Sequence, residues 1–217
     1  EFLKLGEKYR EVIERLRACE DKEIRNKIKR TELPCATISA SFTSRASSKA
    51  VEEKLKRYNS LMVLDFDNLE DPAAAKEELS QLPFFWYIGL SVGGKGLFGI
   101  VPLGTDDFKE HKVYFNALRK ELEVFGYEVD KACCDVTRLR VVSYDPDAFF
   151  NENCEVFCID EREEDDGEIY SSSPVPERAQ DRSSRIELYV LEWEKRHVPL
   201  DDYQDWMTVG MALASAG

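Results

Sequence analysis

The sequence predicts an α+β fold, with helices on one face of a mostly antiparallel sheet. Three observations predict it. Apolar residues recur at helical spacing over residues 1–30, short apolar runs stand at 61–64, 84–90 and 97–103, and helical stretches separate most of these runs. With 217 residues, 43% hydrophobic and 11% aromatic, the chain can bury one good-sized core and carry an appendage.

The elements follow in order. Leu3, Tyr9, Val12, Ile13, Leu16, Ile24 and Ile28 share a helical stripe, so one amphipathic helix is expected over 1–30. Leu33-Pro34 ends it, and a small β-prone run follows at 35–42, then a Ser-rich turn and a short helix to about residue 58. Leu61-Met62-Val63-Leu64 reads as a buried strand running into Asp65-Phe66-Asp67. Asp71-Pro72 marks a helix start, because Pro suits the first turn. Aromatic residues at 84–90 and apolar ones at 97–103 form two strands joined across Gly93-Gly94-Lys95-Gly96. Asp106-Asp107 opens a helix that Gly126 closes. Strands are expected at 138–143 and 156–159, with a turn at Tyr144-Asp145-Pro146-Asp147 between them.

The primary organisation is a core over 1–160, an acidic and Ser/Pro-containing linker over 161–183, and a helical piece over 184–217. The chain opens without Met and closes inside a helical pattern, so both ends are expected to be cuts in a longer protein. No apolar run is long enough for a membrane span. The six cysteines form no C-x-x-C pair and lie far from His111 and His197. They read as reduced thiols of a cytoplasmic protein, with Cys133 and Cys134 as small buried hydrophobes. His111 reads as a surface helix residue. Trp193, Tyr203, Trp206 and Met207 read as core or docking residues by their helical spacing.

Net charge is −13, which argues against broad electrostatic binding of nucleic acid. The charge is unevenly spread. Residues 1–60 hold 15 Lys+Arg and 10 Asp+Glu, whereas residues 61–217 hold 15 and 33. Contact with a polyanion is therefore expected at the basic N-terminal part, or at a small pocket whose field a metal inverts.

Three constellations carry chemistry. Alternation along a strand puts Asp65 and Asp67 on one face, where two carboxylates repel unless a cation sits between them. A hard divalent ion, Mg²⁺ or Mn²⁺, answers that need; an ordinary strand exit with Asp in turn positions is the alternative. Ser91-Val92-Gly93-Gly94-Lys95-Gly96 offers close backbone approach and a point charge for phosphate, or is simply a glycine-rich turn. Asp135 precedes a strand on which Arg138 and Arg140 share a face. Such a pair can grip phosphate or neutralise the acids.

Together these blocks resemble the archaeo-eukaryotic primase superfamily, and within it the VirE N-terminal-like branch of bacterial mobile elements. The acidic pair after a hydrophobic strand is Asp65-Phe66-Asp67. The small-then-basic block is Ser91 to Lys95, with Lys95 where that superfamily usually has His. The third acid is Asp135, with Asp130 as the alternative. Tyr189, Trp193, Tyr203 and Trp206 resemble the start of a primase C-terminal-like helical domain.

The resemblance implies an RRM-like sheet preceded by a small α/β unit, with the acids on an open sheet face. It also implies a DNA primase or primase-polymerase activity. Asp65, Asp67 and Asp135 would hold Mg²⁺ or Mn²⁺; Ser91, Gly94, Lys95 and Gly96 would bind the nucleoside triphosphate; Arg138 and Arg140 would neutralise phosphate. Single-stranded DNA template, an RNA primer and a helicase partner or domain are the implied partners. Two rivals stand beside it. One is a nucleic-acid-binding or regulatory module of the same fold with weakened catalysis. The other is a haloacid-dehalogenase-type phosphatase, which the Asp65-Phe66-Asp67 strand also resembles but which wants Thr or Val at the position of Leu69.

Overall fold

The computed structural model describes residues 2–44 and 50–159. Two compact units divide the chain, one of residues 1–118 and 128–160, the other of residues 119–127 and 161–217. The expected linker, the C-terminal helical piece and its aromatic residues lie outside the described residues.

Mixed α+β architecture is what the first unit shows, with small antiparallel sheets and helices. The expected single N-terminal helix is three: α1 (Leu5–Lys8), α2 (Arg10–Ala18) and α3 (Lys22–Thr31). The break before α3 has a local cause. Asp21 is extended, and its carboxylate accepts from the N–H groups of Glu23 at 2.7 Å and Ile24 at 3.1 Å, a helix start that the apolar stripe conceals. Ile13, Leu16 and Ile28 then form a cluster with Leu33, Val92 and Val142. The basic helices are thereby fixed against the segments that follow two of the strands.

The run at 35–42 is two strands with different partners. β1 (Cys35–Thr37) pairs with a distant strand described below, while β2 (Ala40–Phe42) pairs with β3 (Leu55–Tyr58). The helix expected to reach residue 58 is a single turn, α4 (Val51–Lys54), which leads directly into β3.

The main sheet is built from β4 (Leu61–Phe66), β5 (Tyr87–Leu90), β6 (Leu97–Pro102) and β8 (Phe149–Phe150), in the order β4-β6-β5-β8 and antiparallel throughout. Asp65 lies opposite Phe98 and Phe66 opposite Leu97. Between β4 and β5 lies α5 (Pro72–Ser80), capped by Asp71 as Asp71-Pro72 predicts. A helix spans His111–Val124 as α6, and Gly126 closes it at φ +79°. β7 (Leu139–Val141) pairs with β1, Arg140 opposite Ala36. The strand expected at 156–159 is only an isolated parallel bridge between Leu103 and Phe157, and the fourth sheet strand is β8, just after the expected turn at Tyr144–Asp147, where no strand was expected.

Alternation sorts the sheet residues. Met62, Leu64 and Phe66 on β4 are buried on one face. The other face carries Val63, Tyr87, Phe98 and Ile100, a cluster covered by Leu3, Ile38, Leu61, Trp86 and Ala148. Asp65 belongs to this second face. That face is covered rather than open, by Leu3 and Ile38 over its apolar cluster and by Arg138 and Arg140 at Asp65. The outer edge of β4 is also occupied. There the Asp130 N–H donates to the Asp65 carbonyl at 3.0 Å, whereas the Leu103 N–H, donating to the Ser60 carbonyl at 2.8 Å, extends the inner β4–β6 ladder by one pair.

Candidate functional site

Asp65 is the centre of a cluster of charged side chains. It is 7% exposed, and its carboxylate accepts from two guanidinium groups. Arg138 donates to Oδ2 at 3.1 Å, and Arg140 donates to Oδ1. Arg138 also donates to Asp130 Oδ2 at 2.5 Å, so one guanidinium bridges two carboxylates. The Arg140 guanidinium lies 4.7 Å over the Phe98 ring, and its Nε finds no hydrogen-bond acceptor. Cys133 completes the group, its Sγ 3.7 Å from Asp65 Oδ2. Burial, helped by the Asp65 charge, pushes the Cys133 thiol up to about 12. It stays a neutral thiol.

Local folding explains this convergence. Lys131–Cys134 is a 3-10 turn capped by Asp130, whose Oδ1 accepts from the Ala132 N–H at 3.0 Å. The cap turns the Asp130 backbone onto the edge of β4 and leaves Oδ2 for Arg138. β7 then carries Arg140 back beneath Asp65. Ser39, Val63, Cys133, Asp135, Arg138 and Arg140 line a small cleft there.

The sequence-predicted acids do not all converge. Oxygen and sulfur atoms of Asp65, Asp130 and Cys133 lie within 4.8 Å of one another, a group that includes neither Asp67 nor Asp135. β4 ends at Phe66, and Asp67 is exposed beyond it. Asp135 accepts from the N–H and hydroxyl of Thr137, both at 2.8 Å, and faces the cleft from its rim. The Asp130 carboxylate therefore takes the place beside Asp65 that the spacing left open between two acids.

The glycine-rich segment closes the β5–β6 hairpin next to the end of β4. A Cβ at Gly96 would stand 2.4 Å from the Phe66 carbonyl oxygen, so only glycine allows this approach. The Ser91 N–H donates to the Gly96 carbonyl at 2.8 Å, and Gly94, at φ +73°, donates to the Ser91 carbonyl at 2.9 Å. Lys95 is exposed.

Three neighbours, none expected from the sequence, hold this hairpin. Arg17 donates to the carbonyls of Ser91 at 3.1 Å and Tyr144 at 2.7 Å. The Ser143 hydroxyl donates to the Leu90 carbonyl at 2.6 Å. Asp145, ion-paired to Lys76 at 3.0 Å, accepts from the Leu90 N–H at 2.9 Å.

His111, expected at the surface, is buried at 2% exposure. Its Nδ1 is 2.8 Å from the Tyr58 hydroxyl, and the two rings meet edge to face at 5.7 Å. Burial pushes its pKa down to about 4, against the opposing influence of Asp135 and the Cys133 backbone.

The model of the BT4734-like, N-terminal domain matches residues 28–150, more than half of the chain. The chain belongs to that family. No curated protein and no solved structure matches it. The span shared with BT4734-like domains begins inside α3 and ends with β8, so it takes in the eight strands of the described residues, the Asp65–Arg138–Arg140 cluster and the glycine hairpin.

Proposed function

We propose that this BT4734-like domain is a primase-type nucleotidyltransferase module, with an RRM-like sheet and a helical C-terminal domain beginning after the linker. It would extend or synthesise primers on single-stranded template from nucleoside triphosphates, in replication of a mobile element. The observation that supports the reading most is the meeting of three separated blocks. The end of β4, the glycine hairpin and the 130–140 segment come together around Asp65 and Gly96.

The donor set fits a hard divalent cation in charge and ligand type. Asp65 and Asp130 converge on one cationic group, the Arg138 guanidinium, which stands where such an ion would neutralise both. Asp65 and Asp130 would hold Mg²⁺ or Mn²⁺, with Asp67 or Asp135 added from the rim, and Arg138 displaced toward solvent. The ion supplies charge neutralisation at the reacting phosphate and acidifies an attacking hydroxyl. The chain's own residues do the rest. Arg138 and Arg140 hold phosphate oxygens, and Gly94 and Gly96 keep the hairpin backbone close to the ligand. Lys95 offers a mobile point charge where a histidine is usual in primases, and the Ser91 backbone fixes the hairpin's geometry.

One observation favours the second reading, a nucleic-acid-binding or regulatory module without catalysis. Both oxygens of Asp65 are already taken by arginines. The deciding test gives the full chain labelled nucleotides, single-stranded template and Mn²⁺ or Mg²⁺, beside Asp65→Ala/Asp67→Ala and Asp130→Ala variants. Metal-dependent products that vanish in the variants are expected. Template binding without any product selects the second reading, and phosphate release from a phosphomonoester sinks both.

A further inference from the structure

Beside the glycine hairpin, α3 presents cations that the protein does not neutralise. The Arg25 guanidinium reaches the hairpin, with Nη2 3.2 Å from where a Cβ at Gly93 would stand. Its Nε is buried and donates to no acceptor. Lys29, partly buried, is one helical turn further along the same face. Among the described residues, neither side chain enters an ion pair or hydrogen bond.

Like charges four residues apart on a helix repel, and desolvation makes the repulsion worse. Lys29 registers both effects. Its pKa is lowered by burial and by Arg25, with Asp67 the only neighbour that opposes the shift. That one acid, Asp67, is exposed. The hairpin adds donors of its own, since the N–H groups of Gly93 and Lys95 reach no acceptor among the described residues. Arg17, also nearby, is different in kind, being consumed by the backbone carbonyls it holds.

Unpaired guanidinium and ammonium groups over a backbone stripped of Cβ atoms match an anion with several oxygens on one axis. We propose that Arg25 and Lys29, together with the N–H groups of Gly93 and Lys95, bind the phosphates of a nucleoside triphosphate. The assignment deepens the nucleotidyltransferase reading by giving the triphosphate two side chains from α3. The anion would lie beside Asp67, so the nucleotide's reacting end is directed at the β4 terminus. Arg25 precedes the span that the family model matches, whereas Lys29 and the hairpin lie within it.

The test is calorimetric binding of ATP to the full chain, without template and with divalent ions chelated. Each lost charge-assisted contact should weaken binding about 10-fold, so Arg25→Gln/Lys29→Gln should weaken it about 100-fold. Arg30→Gln, the loss of a single charge at an exposed position of α3, should change it by less than about 2-fold. Inorganic triphosphate should compete with ATP. Because the pair is repulsive when unliganded, the double variant should melt at or above the wild-type temperature.

Equal binding by the double variant, an equal loss in Arg30→Gln, or a lower melting temperature overturns the proposal. So does a variant that loses an oligothymidylate but keeps ATP, which would make the cations a contact for template backbone. Failure is separable from that of the function itself. ATP binding through these residues with no polymerisation sinks only the enzyme; polymerisation indifferent to Arg25→Gln/Lys29→Gln sinks only this site.

Discussion

Removing the Asp65 carboxylate is the perturbation whose size the structure bounds best. Arg140 is the main loser. Its side chain is 12% exposed, that of Asp65 is 9% exposed, and the Arg140 Nε already lacks a partner. Deleting one member of a buried pair costs about 3–5 kcal/mol, chiefly because the other charge is left buried. Arg138 adds less than about 1 kcal/mol, since it is 32% exposed and keeps Asp130. Asp65→Ala should therefore lose about 4 kcal/mol. With a urea slope of about 2–3 kcal/mol/M for a domain of this size, the unfolding midpoint should fall by roughly 1.5 M.

The paired variant Asp65→Ala/Arg140→Met removes the stranded charge and keeps an apolar stem over Phe98. It should recover at least about 2 kcal/mol of that loss, because a buried ion pair is often replaceable by apolar packing. Urea titration followed by fluorescence measures both. A midpoint for Asp65→Ala within about 0.3 M of wild type, or a double variant no more stable than the single, would refute the reasoning. Either result would mean that the arginines leave for solvent without cost.

His111 should make the domain acid-sensitive. Its folded pKa of about 4 lies below the ordinary 6.5, so the unfolded chain binds the proton more readily. The associated stability is complete above pH 6.5 and is lost as pH falls toward 4. About 2 kcal/mol should disappear between pH 7.5 and 5, and urea midpoints for His111→Gln should lack that slope. Gly96→Ala should destabilise by about 2 kcal/mol or more and lower the melting temperature, because its Cβ meets the Phe66 carbonyl rather than a yielding side chain. Native thiol labelling at pH 8, mapped by mass spectrometry, should modify exposed Cys35 and Cys158 first. Cys133, buried and held up to about 12, should react only in denaturant.

Local chemistry was legible in the sequence wherever a few adjacent residues set it. The apolar run into Asp65 is β4, Asp71-Pro72 does cap α5, and the glycines do close a hairpin. What the sequence concealed is long-range. β8 is two residues that become a strand only because Tyr87 and Ile88 lie beside them. His111 sits on a polar-looking helix start, and nothing local reveals the Tyr58 hydroxyl waiting for it. Asp135 has the stronger sequence claim, being nearer the arginines, yet the 3-10 turn between the two acids puts the Asp130 carboxylate, not that of Asp135, on the Arg138 guanidinium and the Asp130 backbone on the edge of β4. Arg17, Arg25 and Lys29 were three basic residues among many until Ile13, Leu16 and Ile28 fixed which way their helices face.

The occupied margin of β4 has a consequence for how the molecule behaves in a crowd. An open strand margin is a template onto which another chain can add, and repeated addition gives fibres. Here the Asp65 carbonyl, near the end of that margin, is already bonded to Asp130, while the opposite margin of the sheet is a two-residue strand. Neither side offers a long ladder to a stranger. The contact that assembles the acidic cluster thus also discourages polymerisation of the protein upon itself.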